Sequence, residues 1–220
     1  LSDVSIQADN SMYIGHVASS ATANEADGNL SIGVTALDAI TTGDDNIAIG
    51  HKALTINTDG TNNIAIGRDA LDSNQNGDFN IAIGTDALQS NNNNQNIAIG
   101  HRAAEYNTGT RNTAVGVISL AGGGSGVRNS AFGFSSGKAG NRNSSFGYES
   151  LKAVTGDHNT AVGFEAGRAI TGGNNNTAVG ANALKVNITG EYNVAIGSGS
   201  LTYNTTTGNT AVGFESSNKN

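Results

Sequence analysis

The 220-residue chain contains neither cysteine nor proline. Without cysteine there is no disulfide framework, no thiolate zinc site and no thiol nucleophile. Without proline there are no X-Pro isomers and none of the rigid turns that the pyrrolidine ring imposes. Charge is sparse too: 13% of residues are charged and the net charge is −7. A chain of that sign repels duplex nucleic acid and anionic lipid, so no nucleic acid is expected as a partner. No apolar run approaches the roughly 18 residues of a membrane helix, and LSDVSIQADN lacks the basic start and apolar middle of a signal peptide. No membrane insertion is expected, and the bare opening Leu1 with the polar close SSNKN reads as an internal piece of a longer chain.

What the sequence does have is glycine, 31 of them, among abundant Asn, Ser and Thr. With 36% apolar residues that composition alone suits disorder. Periodicity argues otherwise. The phrase NIAIG at Asn46–Gly50 returns at intervals of 16 or 17 residues and later becomes NTAVG. Its closing glycine anchors thirteen copies: Gly15, Gly33, Gly50, Gly67, Gly84, Gly100, Gly116, Gly133, Gly147, Gly163, Gly180, Gly197 and Gly213. They fill the chain, which reads as one repetitive domain over residues 1–220. A first, atypical coil covers about 1–28, regular repeats cover 29–217 and a polar tail covers 218–220.

Each column of this self-alignment has a physical reading. Four residues before the anchor stand Asn29, Asn46, Asn63, Asn80, Asn96, Asn112, Asn129, Asn143, Asn159, Asn176, Asn193 and Asn209, with Ser11 as the exception. Identical amides at one coil position can bond up and down a stack as a ladder. The anchor glycine fits a positive φ or a close approach that a Cβ would prevent. One residue before the anchor stand Ile32, Ile49, Ile66, Ile83, Ile99, Val115, Phe132, Phe146, Val162, Val179, Ile196 and Val212, expected to be buried strand positions. Ala or Ser stands three after every anchor, and Leu four after eight of them.

A 16- or 17-residue unit is too short for helical repeats and lacks a 3.6-residue apolar period. Its short β-branched segment ending at glycine reads as a strand. The expected fold is therefore all-β, a parallel β-solenoid of about thirteen coils, with strands ~4.8 Å apart and a total length of roughly 60 Å. Alternation puts Ile47 and Ile49 on one face and Ala48 on the other, and neither face is charged. A strand apolar on both faces is covered on both, yet so small a coil encloses only one core. The second face is expected to meet further copies of the chain under cyclic symmetry.

The pattern Asn-x-Ala-Ile/Val-Gly-x-x-Ala/Ser, from Asn46–Ala53 through nearly every later copy, resembles the head repeat of trimeric autotransporter adhesins. With longer loops such as YNTTTGNTAVGF it is also similar to stretches of bacteriophage tail fibres. The resemblance implies a left-handed parallel β-roll, a homotrimer with two further copies of the chain, and an extracellular place on a virion tail fibre or bacterial cell surface. It implies fibre building and attachment to a host-cell or matrix receptor. The adhesin repeat is nearer 14 residues, a length found here only between Gly133 and Gly147, so the phage fibre is favoured over the adhesin head.

No catalytic constellation rises above the repeat, and neither an enzyme nor a cofactor is expected. His16, His51, His101 and His158 show no metal-ligand spacing, although three copies of His51 around an axis form one conceivable metal site. Asp69, Asp86, Glu149, Glu165 and Glu215 form a broken acidic column two after the anchor, read as a solvated stripe. Loops at Asp44–Asp45, Asp59 and Asp78 have a calcium-loop composition without the calcium nonapeptide. Asn187-Ile188-Thr189 is a chance sequon. The competing classes are a filament without ligand and an ice-binding solenoid, the latter opposed by irregular loops. From Asn112 onward bulk moves along the coil: Ile three before the anchor gives way mostly to Thr or Ser, while Phe134, Tyr148, Phe164 and Phe214 follow the glycine.

Overall fold

The computed structural model describes residues 4–6, 11–14 and 26–217. Gly15, His16 and the tail at 218–220 lie outside the described residues, as does most of the atypical first coil. Every strand is three residues long, and each of those paired in parallel stops at the residue before an anchor glycine. They are β1 (Val4–Ile6), β2 (Met12–Ile14), β3 (Leu30–Ile32), β4 (Ile47–Ile49), β5 (Ile64–Ile66), β6 (Ile81–Ile83), β7 (Ile97–Ile99), β8 (Thr113–Val115), β9 (Ser130–Phe132), β10 (Ser144–Phe146), β11 (Thr160–Val162), β12 (Thr177–Val179), β13 (Val194–Ile196) and β14 (Thr210–Val212). No helix occurs among the described residues.

The chain divides into two compact units, residues 1–111 and 112–220, and each is a β-solenoid. In the first, β2 to β7 pair in sequence order, all parallel, while β1 pairs antiparallel with β2. In the second, β8 to β14 pair in order and in parallel. Register is column on column: Ile47, Ala48 and Ile49 face Ile64, Ala65 and Ile66.

Beyond the strand the coil turns on residues with left-handed backbone. Lys52 and Leu54, two and four after the anchor, have φ of 58° and 51°, and Asn62 has φ of 58°. The anchor glycines go further, with φ of 125–137° from Gly33 to Gly213. A Cβ on Gly67 would stand 2.5 Å from the Gly84 carbonyl oxygen, so neighbouring coils touch backbone to backbone at this column. The turn wall bonds between coils as well: Lys52 N–H donates to the Val34 carbonyl at 3.1 Å and Leu54 N–H to the Ala70 carbonyl at 3.0 Å.

The core corrects one expectation. The wholly buried strand residue is the central alanine, as in Ala48, Ala65, Ala82, Ala98 and Ala114, packed against the turn-wall Ala53 and Leu54 columns. The position one before the anchor is not buried within the chain. Ile32, Ile49, Ile66, Ile83, Val115, Phe132 and Val179 are half-buried, and Ile99, Phe146, Val162, Ile196 and Val212 are exposed. The reason is the narrowness of the coil. At Gly137 an added Cβ would lie 3.1 Å from Ala131 Cβ, so strand and turn wall leave room for alanine from one side and leucine from the other. An isoleucine has to point out.

Where the wall lacks leucine, a neighbour fills the space. Gly167 occupies a leucine column, and Leu151 Cδ2 and Ile170 Cδ1 stand 2.9 and 3.0 Å from where its Cβ would be. Both are fully buried in the core of the second unit. Each buried leucine contributes about 1.5–3 kcal/mol of apolar transfer. The thin core is long rather than thick.

Candidate functional site

Three layers of the coil carry the candidate roles: an internal amide row, an apolar outer sheet face, and charged turn columns.

The amide row begins at Ser11, whose hydroxyl accepts the Asn29 N–H at 3.1 Å and so takes the place of an asparagine. From Asn29 the pattern repeats. Asn46 donates both its backbone N–H (2.9 Å) and its Nδ2 (3.1 Å) to Asn29 Oδ1, and its Nδ2 also reaches the Gly60 carbonyl at 2.8 Å. Asn63, Asn80 and Asn96 continue it in the first unit, and Asn129, Asn143, Asn159, Asn176, Asn193 and Asn209 follow from Asn112 in the second. All are buried except the terminal, half-buried Asn209. A buried amide with every polar atom paired is tolerated where an unpaired one costs several kcal/mol.

A second amide column escaped the sequence reading. Seven residues after the anchor stand buried Asn57, Asn74, Asn91 and Asn107, then Asn187 and Asn204. Asn57 Nδ2 and Asn74 Nδ2 cap the Gly60 and Gly77 carbonyls at 2.9 and 3.0 Å. Asn-x-x-Gly in three of these coils, at Asn57, Asn74 and Asn187, was the available signal.

The calcium-like loops have another use. Asp44 Oδ1 accepts the Asp27 N–H at 2.7 Å and Asp78 Oδ1 the Thr61 N–H at 2.8 Å, while Asp59 Oδ1 accepts the Thr42 hydroxyl at 3.0 Å. These carboxylates staple each loop to the preceding coil. No group of three or more potential metal ligands occurs among the described residues. His101 Nε2 stands 4.0 Å from Asp86 Oδ2, and His158 Nε2 3.2 Å from an Arg142 guanidinium nitrogen.

The outer sheet face holds the columns one and three before the anchor, all uncharged. In the second unit its bulk is partly aromatic. Phe132 and Phe146 stack at 5.0 Å, and Phe134, Tyr148 and Phe164 form a second stack at 5.3 and 5.2 Å, spacings set by the coil rise.

Charged side chains sit two and five after the anchor. Glu149 accepts from Lys152 Nζ at 2.6 Å and Arg168 Nε at 2.7 Å; these bonds hold its carboxyl below the ordinary range. Glu165 takes Lys185 Nζ at 2.5 Å. In the first unit Asp72 is pushed up by burial and then by neighbouring Asp69, with Lys52 and His51 offsetting part of it. No helix of the described residues is long and apolar enough to cross a membrane. No protein-family model, curated protein or solved structure matches the chain.

Proposed function

We propose that the chain is a segment of a homotrimeric surface fibre, part of a bacteriophage tail fibre, that builds the fibre and attaches it to a host-cell surface. The observation that carries the reading is the outer sheet face. In both units a column of Ile, Val or Phe runs from coil to coil, flanked by Ile, Thr or Ser, without a charge. A monomer rarely leaves so continuous an apolar strip in water. Two further copies around a threefold axis cover it, and each newly buried aliphatic side chain adds a fraction of about 1.5–3 kcal/mol. The left-handed coil and the virion location come from the resemblance of the repeats. Attachment follows from repetition, because many weak identical contacts act together through avidity. The bacterial adhesin head is the second reading, supported by the 14-residue spacing between Gly133 and Gly147.

Light scattering on the purified chain tests the assembly, with Ile66→Asp as the probe. Ile66 is half-buried in the single chain, so aspartate there is expected to leave the far-UV spectrum intact and release monomers. A wild-type monomer, or an Ile66→Asp trimer with unchanged melting, refutes the interface. Competition of the purified chain with adsorption of fibre-bearing particles to host cells tests the attachment, and no competition at saturating chain refutes it.

A further inference from the structure

Bulk charge hides a division. Residues 1–111 hold four Lys/Arg against thirteen Asp/Glu, a net of −9, whereas residues 112–220 hold seven against five, a net of +2. The difference concentrates in the column five after the anchor. In the first unit it carries Asp38, Asp72 and Glu105 on alternate coils; in the second it carries Lys138, Lys152, Arg168 and Lys185 on four consecutive coils.

The cation row is built rather than scattered. Ala153 N–H donates to the Arg168 carbonyl at 3.1 Å and Ala169 N–H to the Lys185 carbonyl at 3.0 Å, which fixes the backbone beneath it. Successive cations are therefore one coil apart, ~4.8 Å. Glu149 and Glu165 steady three of the heads from one side, leaving four cations to two carboxylates. The steadied side chains stay 34–41% exposed. Lys138 has no ion-pair partner among the described residues, and its stem crosses the coil above at Gly122, where any Cβ would strike it. Ala139, Ala153 and Ala169 each follow a cation of the row in sequence. Lys138, Lys152, Arg168 and the last two alanines line a shallow trough of about 370 Å³.

We propose that this trough binds a linear anionic polysaccharide, with its acidic groups on the cation row and the C–H faces of its sugars on the alanine floor. The inference rests on the surface-attachment reading and names its ligand class. Two other polyanions fit less well. Single-stranded nucleic acid seeks aromatic stacking platforms, and no ring lines the trough. The acidic column of a second copy presents charge only on every other coil, and its Glu105 is already held by Arg102 at 2.6 Å, so it cannot match a row on consecutive coils.

Titration calorimetry of the full chain with polygalacturonate, neutral dextran and a DNA oligonucleotide tests the proposal. The triple variant Lys138→Gln/Lys152→Gln/Lys185→Gln leaves Arg168 and its carboxylates in place, and circular dichroism checks its fold. Expected are polygalacturonate binding that weakens with salt, none to dextran, and a loss of about tenfold or more in the triple variant with an unchanged spectrum. Equal binding by the folded variant, equal binding of dextran, or DNA bound as tightly as polygalacturonate overturns it. So does wild-type self-association at low salt that the variant abolishes while polymer binding persists. Light scattering and cell competition by the wild-type chain are read separately, so a failed trough and a failed fibre give different results.

Discussion

Asn63→Ala tests the amide row at a fully connected point. Asn63 is fully buried. Its Nδ2 donates to Asn46 Oδ1 at 3.1 Å and to the Gly77 carbonyl at 2.8 Å, and its Oδ1 accepts the Asn80 N–H at 3.0 Å and Asn80 Nδ2 at 3.1 Å. Alanine strands the Asn80 N–H and one Asn80 amide hydrogen, while the Gly77 carbonyl keeps Asn74 Nδ2 at 3.0 Å and Asn46 Oδ1 keeps the Asn63 backbone N–H at 3.0 Å. At about 1–3 kcal/mol for each of the two stranded buried groups, less some relaxation, the expected loss is about 3 kcal/mol per chain. Asn209 closes the row. It donates to Asn193 Oδ1 at 3.0 Å and is half-buried, so Asn209→Ala is expected to cost about 1 kcal/mol. Urea unfolding followed by far-UV circular dichroism at one protein concentration measures both, since assembly makes midpoints depend on concentration. Asn63→Asp adds a chemical control. It keeps the acceptor but turns a carboxylate toward two oxygens, so it is expected to be worse than alanine at neutral pH and to recover on acidification. Asn63→Ala within about 1 kcal/mol of wild type, or no worse than Asn209→Ala, refutes the ladder as a source of stability.

Gly67→Ala puts a Cβ 2.5 Å from a backbone oxygen at φ +137° and is expected to cost more than about 3 kcal/mol, whereas Gly172→Ala meets nothing within 4 Å and is expected to be neutral or stabilising; thermal melts of the pair check this. Ala65→Leu overfills the narrow core and is expected to cost about 1–3 kcal/mol in denaturant titrations, with equal stability contradicting the inward assignment of the alanine column. Asp72, raised by burial and Asp69, is stabilising only when protonated, a contribution complete below its ordinary 3.8 and lost as pH rises through the elevated folded value. Asp72→Asn is therefore expected to melt above wild type at neutral pH and to converge with it as pH falls below 3.8.

Much of this was legible in the sequence because the repeat shows the same coil many times. Strand position, parallel register and the amide row follow from the spacing of Asn46, Asn63 and Asn80, since equal intervals superpose like residues. The inward face was not legible. Hydrophobic ranking puts Ile66 inside and Ala65 outside, and only the width of the closed coil reverses it. The second amide column was masked because its residues follow the turn and change to Ile40, Val154 or Ile170 in coils that fill the space with hydrocarbon. The cation row vanished into an overall −7, the sum of two halves of opposite sign.

The contrast between the two strand faces bears on what surrounds the coil. Inside, the central strand residue is alanine or serine from Ser31 to Ala211, a uniformity imposed by a gap that the chain itself closes. Outside, the occupants vary: Ile47 and Ile64 in the first unit, Thr113 and Thr177 in the second, with stacked Phe134, Tyr148 and Phe164 beyond the glycine. The column after the glycine takes Arg68 in the first unit, whereas the columns one and three before the anchor exchange shape freely yet admit no charge. Water alone would permit Lys or Glu there, as it does two and five residues after the anchor on the same coils. Columns that vary in shape yet exclude every charge are what the proposed assembly requires, since a copy related by symmetry would bring a dry surface to every coil at once.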